Sequence, residues 1–101
     1  MTLDELTDRM KTAVGSDSGL GKTLKFNLKG EGCVLIDGGS VTNDDKPADL
    51  TLTIAMKDLV DLGEGRLDPM TAVMTGKLGL SDMTLAMQLQ GKMTALFSKL
   101  R

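Results

Sequence analysis

The sequence predicts an α+β domain, a mostly antiparallel sheet of about five strands covered on one face by about five helices. Three observations carry this. Residues 23–29 alternate strictly, Leu24, Phe26 and Leu28 against Lys25, Asn27 and Lys29, which is the period of a strand with one buried face. Two glycine-bearing reversals, Gly30-Glu31-Gly32 and Asp37-Gly38-Gly39-Ser40, follow at hairpin spacing. Helical periodicity lies at the two ends of the chain and between the later strands. At 101 residues the chain is expected to be one domain, 1–101, burying roughly two-thirds of its unfolded surface.

In order, Leu3, Leu6, Met10, Ala13 and Val14 share one face of a 3.6-residue period, and Thr2 with Glu5 has the spacing of a capping box, so the first helix runs about 13 residues to Gly15. The strand at 23–29 is followed by a strand at Cys33 to Ile36 and a short one at Val41 and Thr42. Asp44-Asp45, between Thr42-Asn43 and Lys46-Pro47, reads as a solvated loop. Leu50, Leu52 and Ile54 then alternate with Thr51 and Thr53 as a fourth strand. Residues 56–62 turn helical, with Leu59 and Leu62 inward and Gly63 as the stop. Asp68 caps a short helix opened by Pro69, in which Met70, Val73 and Met74 share a face and Gly76 ends the turn. Residues 77–80 form a fifth strand with Leu78 and Leu80 on one side. Ser81 or Asp82 caps a helix carrying Met83, Ala86 and Met87, apolar on a second side through Leu85 and Leu89. Gly91 breaks it, and a last helix places Met93, Leu96, Phe97 and Leu100 together.

Composition excludes several functions. The net charge of −2 with interspersed signs, two Phe and neither Trp nor Tyr provide neither a phosphate-binding patch nor stacking platforms, so no nucleic-acid partner is expected. Histidine is absent, which removes the commonest general base and metal ligand; no catalytic residue, metal or cofactor is expected. Gly63-x-Gly65 follows a helix and lacks a third glycine, and Lys77 lacks the flanking residues of a phosphate loop. Cys33, alone in an apolar run, is expected to be buried and unreactive, consistent with a reducing, cytoplasmic setting. No run approaches the ~20 apolar residues of a membrane span, and the N-terminal segment lacks a signal pattern. Ser98-Lys99-Leu100 has the composition of a peroxisomal address, but that signal is read at the extreme C-terminus and Arg101 follows.

Eight methionines, five of them after residue 69, pose the functional question. Methionine is unbranched and polarizable, so a set of them on one inner surface suits either a plastic core or a pocket for a flexible apolar ligand. The order and spacing of Ala48-Asp49-Leu50-Thr51, Asp58-Leu59, Leu62, Gly65-Arg66-Leu67-Asp68-Pro69, Ala72-Val73-Met74-Thr75-Gly76-Lys77-Leu78 and Leu85-Ala86-Met87-Gln88-Leu89 resembles the sterol carrier protein 2 domain family. The match spans 48–89 directly, and the hairpins from Gly30 to Val41 fit the rest. The resemblance implies a five-stranded sheet and helices enclosing an apolar tunnel that takes fatty acid, fatty acyl-CoA, sterol or other lipid without chemistry. Two departures stand out: Val73 occupies a place where the family usually has an aromatic, and Leu80-Ser81-Asp82 shortens a turn that usually carries Gly-Asp or Gly-Asn.

On this reading the tunnel is lined by Phe26, Val34, Met56, Leu59, Met70, Val73, Met74, Leu78, Leu80, Met83, Thr84 and Met87, with Phe97 and Leu100 as a lid. Gln88 and Gln90 are solvated, with either placed to meet a ligand head group at the mouth. The expected partner is a lipid or other apolar small molecule, with a lipid-metabolising enzyme or a second copy as further partners. The alternative is a protein-interaction or dimerisation module using a Met-rich apolar surface. An enzyme is the weakest reading, since no nucleophile, base or metal constellation is visible.

Overall fold

The computed structural model describes residues 2–15 and 21–99, apart from the side chains at 97 and 98. Nine elements follow one another: α1 (Leu3–Val14), β1 (Leu24–Leu28), β2 (Gly32–Asp37), β3 (Ser40–Thr42), β4 (Leu50–Ile54), α2 (Met56–Gly63), α3 (Pro69–Met74), β5 (Leu78–Leu80) and α4 (Met83–Ser98). The strands form one sheet in the order β3-β2-β1-β4-β5. Three pairings are antiparallel and one, β1 with β4, is parallel, so the sheet is mixed.

Both hairpins form where the glycines permit them. Leu28 pairs with Gly32 across a turn in which Gly30 has φ 75°, and Asp37 pairs with Ser40 across Gly38-Gly39, with Gly38 at φ 59°. Alternation then sorts the side chains: Leu24, Phe26, Leu28, Val34, Ile36, Leu50, Leu52, Ile54 and Leu78 are all buried in one cluster. Into that cluster the helices bring Leu6 and Met10 from α1, Leu59 and Leu62 from α2, Ala72 from α3, and Ala86, Leu89, Met93 and Leu96 from α4.

The opposite face of the sheet is crossed by residues 43–49, which carry the chain from β3 past β2 and β1 to the free side of β1. Lys25, out of phase with Phe26, meets Asp45 at 2.8 Å. The Cys33 thiol donates to the Asn43 and Asp44 carbonyls at 3.6 and 3.5 Å, and the Asn43 amide donates to the Cys33 carbonyl and the Thr7 hydroxyl. This loop keeps Cys33 at 8% exposure. Burial pushes the Cys33 thiol up, and the nearby Asp45 carboxylate adds to the shift.

The parallel pair is clamped at its entrance. Asp49 accepts from the Thr23 backbone N–H at 2.9 Å and from its hydroxyl at 3.0 Å, while the Asp49 N–H donates to the Thr23 Oγ1 at 2.8 Å. The backbone bond first, then the hydroxyl, holds the Asp49 carboxyl below its ordinary 3.8. A carboxyl depressed in the folded state stabilises it above the unfolded pKa, and that contribution disappears as pH falls through the folded value. Urea midpoints measured between about pH 5 and pH 2 should therefore fall less steeply for Asp49→Ala than for the parent chain.

The helix ends show where local signals hold and where they do not. Thr2 caps α1 by accepting from the Glu5 N–H at 3.2 Å, although the Glu5 carboxylate receives the Thr2 hydroxyl and not its backbone N–H. Asp68 caps α3 through the Thr71 N–H at 3.1 Å, and the N–H groups of Gly76 and Lys77 close the helix on the Val73 and Ala72 carbonyls, with Gly76 at φ 78°. The stop of α2 is Gly65 (φ 79°), not Gly63, which is its last helical residue. Asp61 secures that corner by accepting the Arg66 and Leu67 N–H groups on its carbonyl and the Arg66 guanidinium on its carboxylate.

The expected fifth helix is not separate. Gly91 lies inside a continuous α4 of 16 residues, so the described residues form four helices. Leu89, Met93 and Leu96 bury on both sides of the glycine, and that tertiary anchorage outweighs the roughly 1 kcal/mol by which glycine weakens a helix interior. Nothing lies within 4 Å of a Cβ built on Gly91. Gly91→Ala should consequently raise stability by about 0.5–1 kcal/mol, read as a shift of the urea midpoint at constant slope.

Candidate functional site

Beyond the tightly packed centre of the cluster, β5, α3 and α4 enclose an apolar cleft open to solvent. Its floor is Leu52 of β4 with Leu78 and Leu80 of β5. The register explains their convergence: Leu52 pairs with Leu80 and Ile54 with Leu78, so these side chains leave the sheet on the face that carries the helices. One wall is Pro69, Met70 and Val73 of α3; the other is Met83, Ala86, Met87, Gln90 and Met93 of α4, spaced i, i+3, i+4, i+7, i+10. Asp82 sets the start of that wall by accepting the Leu85 N–H at 3.1 Å, and Ser81 ties the turn to β4 through the Thr51 N–H. Gln90 is the one polar side chain of the lining.

The cleft holds about 80 Å³, well below the ~300 Å³ at which small-molecule sites begin. Phe26, Val34 and Leu59, expected along a tunnel, do not line this cleft and are buried at 0–1% exposure. Met56 lies elsewhere, beside a groove of about 590 Å³ edged by Lys29, Glu31, Lys57, Asp61 and Arg66. That groove is larger, but its walls are charged, and Arg66 is already paired with Asp61 and Glu64.

Six of the residues expected to line a pocket, Met70, Val73, Leu78, Leu80, Met83 and Met87, do meet at the cleft. Met74 and Thr84 are exposed and outside it. The lid residues Phe97 and Leu100 fall, the first by its side chain and the second entirely, outside the described part of the chain. Leu52, Pro69, Ala86, Gln90 and Met93 were not in the expected lining. Ala86 already shared a face with Met83 and Met87 in the sequence and Gln90 was read at the mouth, whereas Met93 joins that stripe only once α4 is read through Gly91.

The rim has an unusual chemistry. Met70, Met83 and Met87 are 56%, 49% and 63% exposed, whereas Met93 at the base is buried. Large apolar side chains left in water around a concave apolar floor are what a site for an apolar ligand presents before it is filled. Among the described residues no group of Cys, Asp or Glu is arranged to hold a metal ion.

A mixed five-stranded sheet, helices over one face and an apolar cleft beneath its β5 edge together define an α+β domain with an open apolar site. The chain belongs to the SCP-2 sterol transfer family, whose model matches residues 3–94. It is 46% identical over 54 residues to Sterol carrier protein 2 of Bos taurus, a match covering 52% of this chain and 10% of that protein. It is 38% identical over 85 residues to Hydroxysteroid dehydrogenase-like protein 2 of Danio rerio, covering 75% of this chain and 20% of that one. This chain thus spans between a tenth and a fifth of the length of these curated relatives. In structure it is similar to Sterol Carrier Protein 2 Like 2 from Aedes aegypti, with a TM-score of 0.74 at 24% identity over 88% of this chain and 94% of the other. No helix among the described residues is long and apolar enough to cross a membrane.

Proposed function

We propose that this chain acts as one lipid-binding unit that takes up and releases a fatty acid, fatty acyl-CoA, sterol or other lipid without chemical conversion, in a cytoplasmic setting. The observation that carries this reading is the cleft between α3, β5 and α4, whose lining is apolar except for Gln90 and whose rim is three exposed methionines. Family membership supports it.

Magnitudes bear on the size of the cleft. A closed ~300 Å³ void would cost on the order of 7 kcal/mol, comparable to the whole stability of a small domain. A cleft of about 80 Å³ that stays open to water avoids that cost, and unbranched methionines can swing aside as a chain enters. Burying an alkyl chain of about 16 carbons is worth about 11 kcal/mol gross, and association consumes about 4–15 of it, which leaves at most about 7 kcal/mol, so binding in the micromolar range at the tightest follows. Such affinity suits a carrier that must release its cargo to a lipid-metabolising enzyme.

A second reading has its own observation: Met74, 84% exposed and outside the cleft, extends the methionine surface along α3, as a docking or dimerisation face would. The two separate in one experiment. Native mass spectrometry of the freshly purified chain should show a monomer with copurifying lipid, and the delipidated protein should bind a pyrene-labelled fatty acid saturably. A lipid-free dimer, or no saturable binding by a folded protein, would overturn the carrier reading.

A further inference from the structure

The seven described methionines divide by environment. Met10, Met56 and Met93 are buried at 0–8% exposure, while Met70, Met74, Met83 and Met87 are 49–84% exposed. Of the exposed four, three line the cleft and Met74 does not. Thioether oxidation follows access, and it converts an apolar side chain into a polar, chiral one. We propose that Met70, Met83 and Met87 are a modification site, a set of thioethers whose oxidation by a peroxide closes the cleft to apolar ligands while leaving the fold intact. This rests on the carrier reading above.

The step balances simply. A thioether sulfur attacks one oxygen of hydrogen peroxide, the O–O bond breaks, an S–O bond forms, and after proton transfer water leaves; sulfur is oxidised by two electrons and the peroxide reduced. A thiol-dependent sulfoxide reductase reverses it, the sulfoxide oxygen departing as water. In the free protein the new S–O dipoles are hydrated, because these side chains stand half or more in solvent. A bound lipid would strip that water without supplying a hydrogen-bond donor, since the lining offers only Gln90. The core is less accessible: Met10 is fully buried, Met56 and Met93 are 7% and 8% exposed, and the one cysteine is buried under residues 43–49.

The test uses the full chain. After brief hydrogen peroxide treatment and removal of the oxidant with catalase, peptide mass spectrometry should locate sulfoxide at Met70, Met74, Met83 and Met87 with little at the buried three. Circular dichroism should be unchanged, and the dissociation constant for a pyrene-labelled fatty acid should rise about tenfold or more. A triple variant, Met70→Leu, Met83→Leu and Met87→Leu, retains oxidisable Met74; its affinity, whatever its value, should be the same before and after peroxide. Saturating the parent chain with lipid first should slow oxidation of the three cleft methionines but not of Met74. Rim sulfoxides with unaltered affinity, or an equal peroxide effect in the triple variant, would overturn this proposal while the carrier reading stands. Absence of fatty-acid binding before any oxidation would instead sink the carrier reading, and this one with it.

Discussion

Truncating Phe26 to alanine is expected to lower the unfolding free energy by about 3–5 kcal/mol. Phe26 is fully buried in β1, in register with Val34 of β2 and Leu52 of β4, so its ring is surrounded on both flanks of the sheet and by the helices above. Removing it deletes transfer free energy and leaves a hole that two neighbouring strands, fixed by their ladders, are poorly able to close. Such a loss is a large share of the 5–15 kcal/mol by which domains are usually stable. Urea denaturation should show it as a lowered midpoint. A Phe26→Ala protein of parental stability that instead admits larger lipids would mean that the ring is a ligand wall, as the sequence reading expected, and not part of the core.

The second large effect is expected at the cleft. Met83→Glu combined with Met87→Glu should weaken fatty-acid binding by about a hundredfold or more, because bound alkyl chain would remove water from carboxylates that have no cationic partner in the lining. Both positions are exposed and lie in a helix where glutamate is well tolerated, so stability should change by no more than about 0.5 kcal/mol. Titration of the delipidated double variant, alongside its urea curve, separates the two quantities. Binding at parental affinity would move the ligand site away from this cleft.

These two variants mark how far the sequence could be read. The strand faces were legible because alternation is a local property: Leu24, Phe26 and Leu28 had to share a side whatever the rest of the chain did. Caps were legible for the same reason, and Asp68 and Asp82 sit where their side chains reach the third N–H onward. What could not be read was which inward residue meets water and which meets protein. Phe26 and Leu80 both point to the same face of the sheet, yet one is enclosed by β2, β4 and the helices while the other borders the open β5 edge. Likewise Met56 and Met83 each occupy the first position of a helix, but α2 buries its methionine and α4 presents its own at a rim. Gly91 was misread because a local weakness of roughly 1 kcal/mol is audible in sequence, while the anchoring of Leu89, Met93 and Leu96 that overrides it is a sum of distant contacts.

The sequence by itself determined the α+β class, the two hairpins, the capped starts of α1, α3 and α4, the family, and the methionine enrichment of the second half. Each of these depends on periods, turn residues or ordered motifs that short stretches carry intact. Only the tertiary structure decided that β4 lies parallel to β1, that α4 is unbroken, and that α3 and α4 wall an open apolar cleft of about 80 Å³ among the described residues. Those outcomes turn on how elements remote in sequence share a fixed volume, and side-chain periodicity specifies which way a residue faces without specifying how much room it finds there.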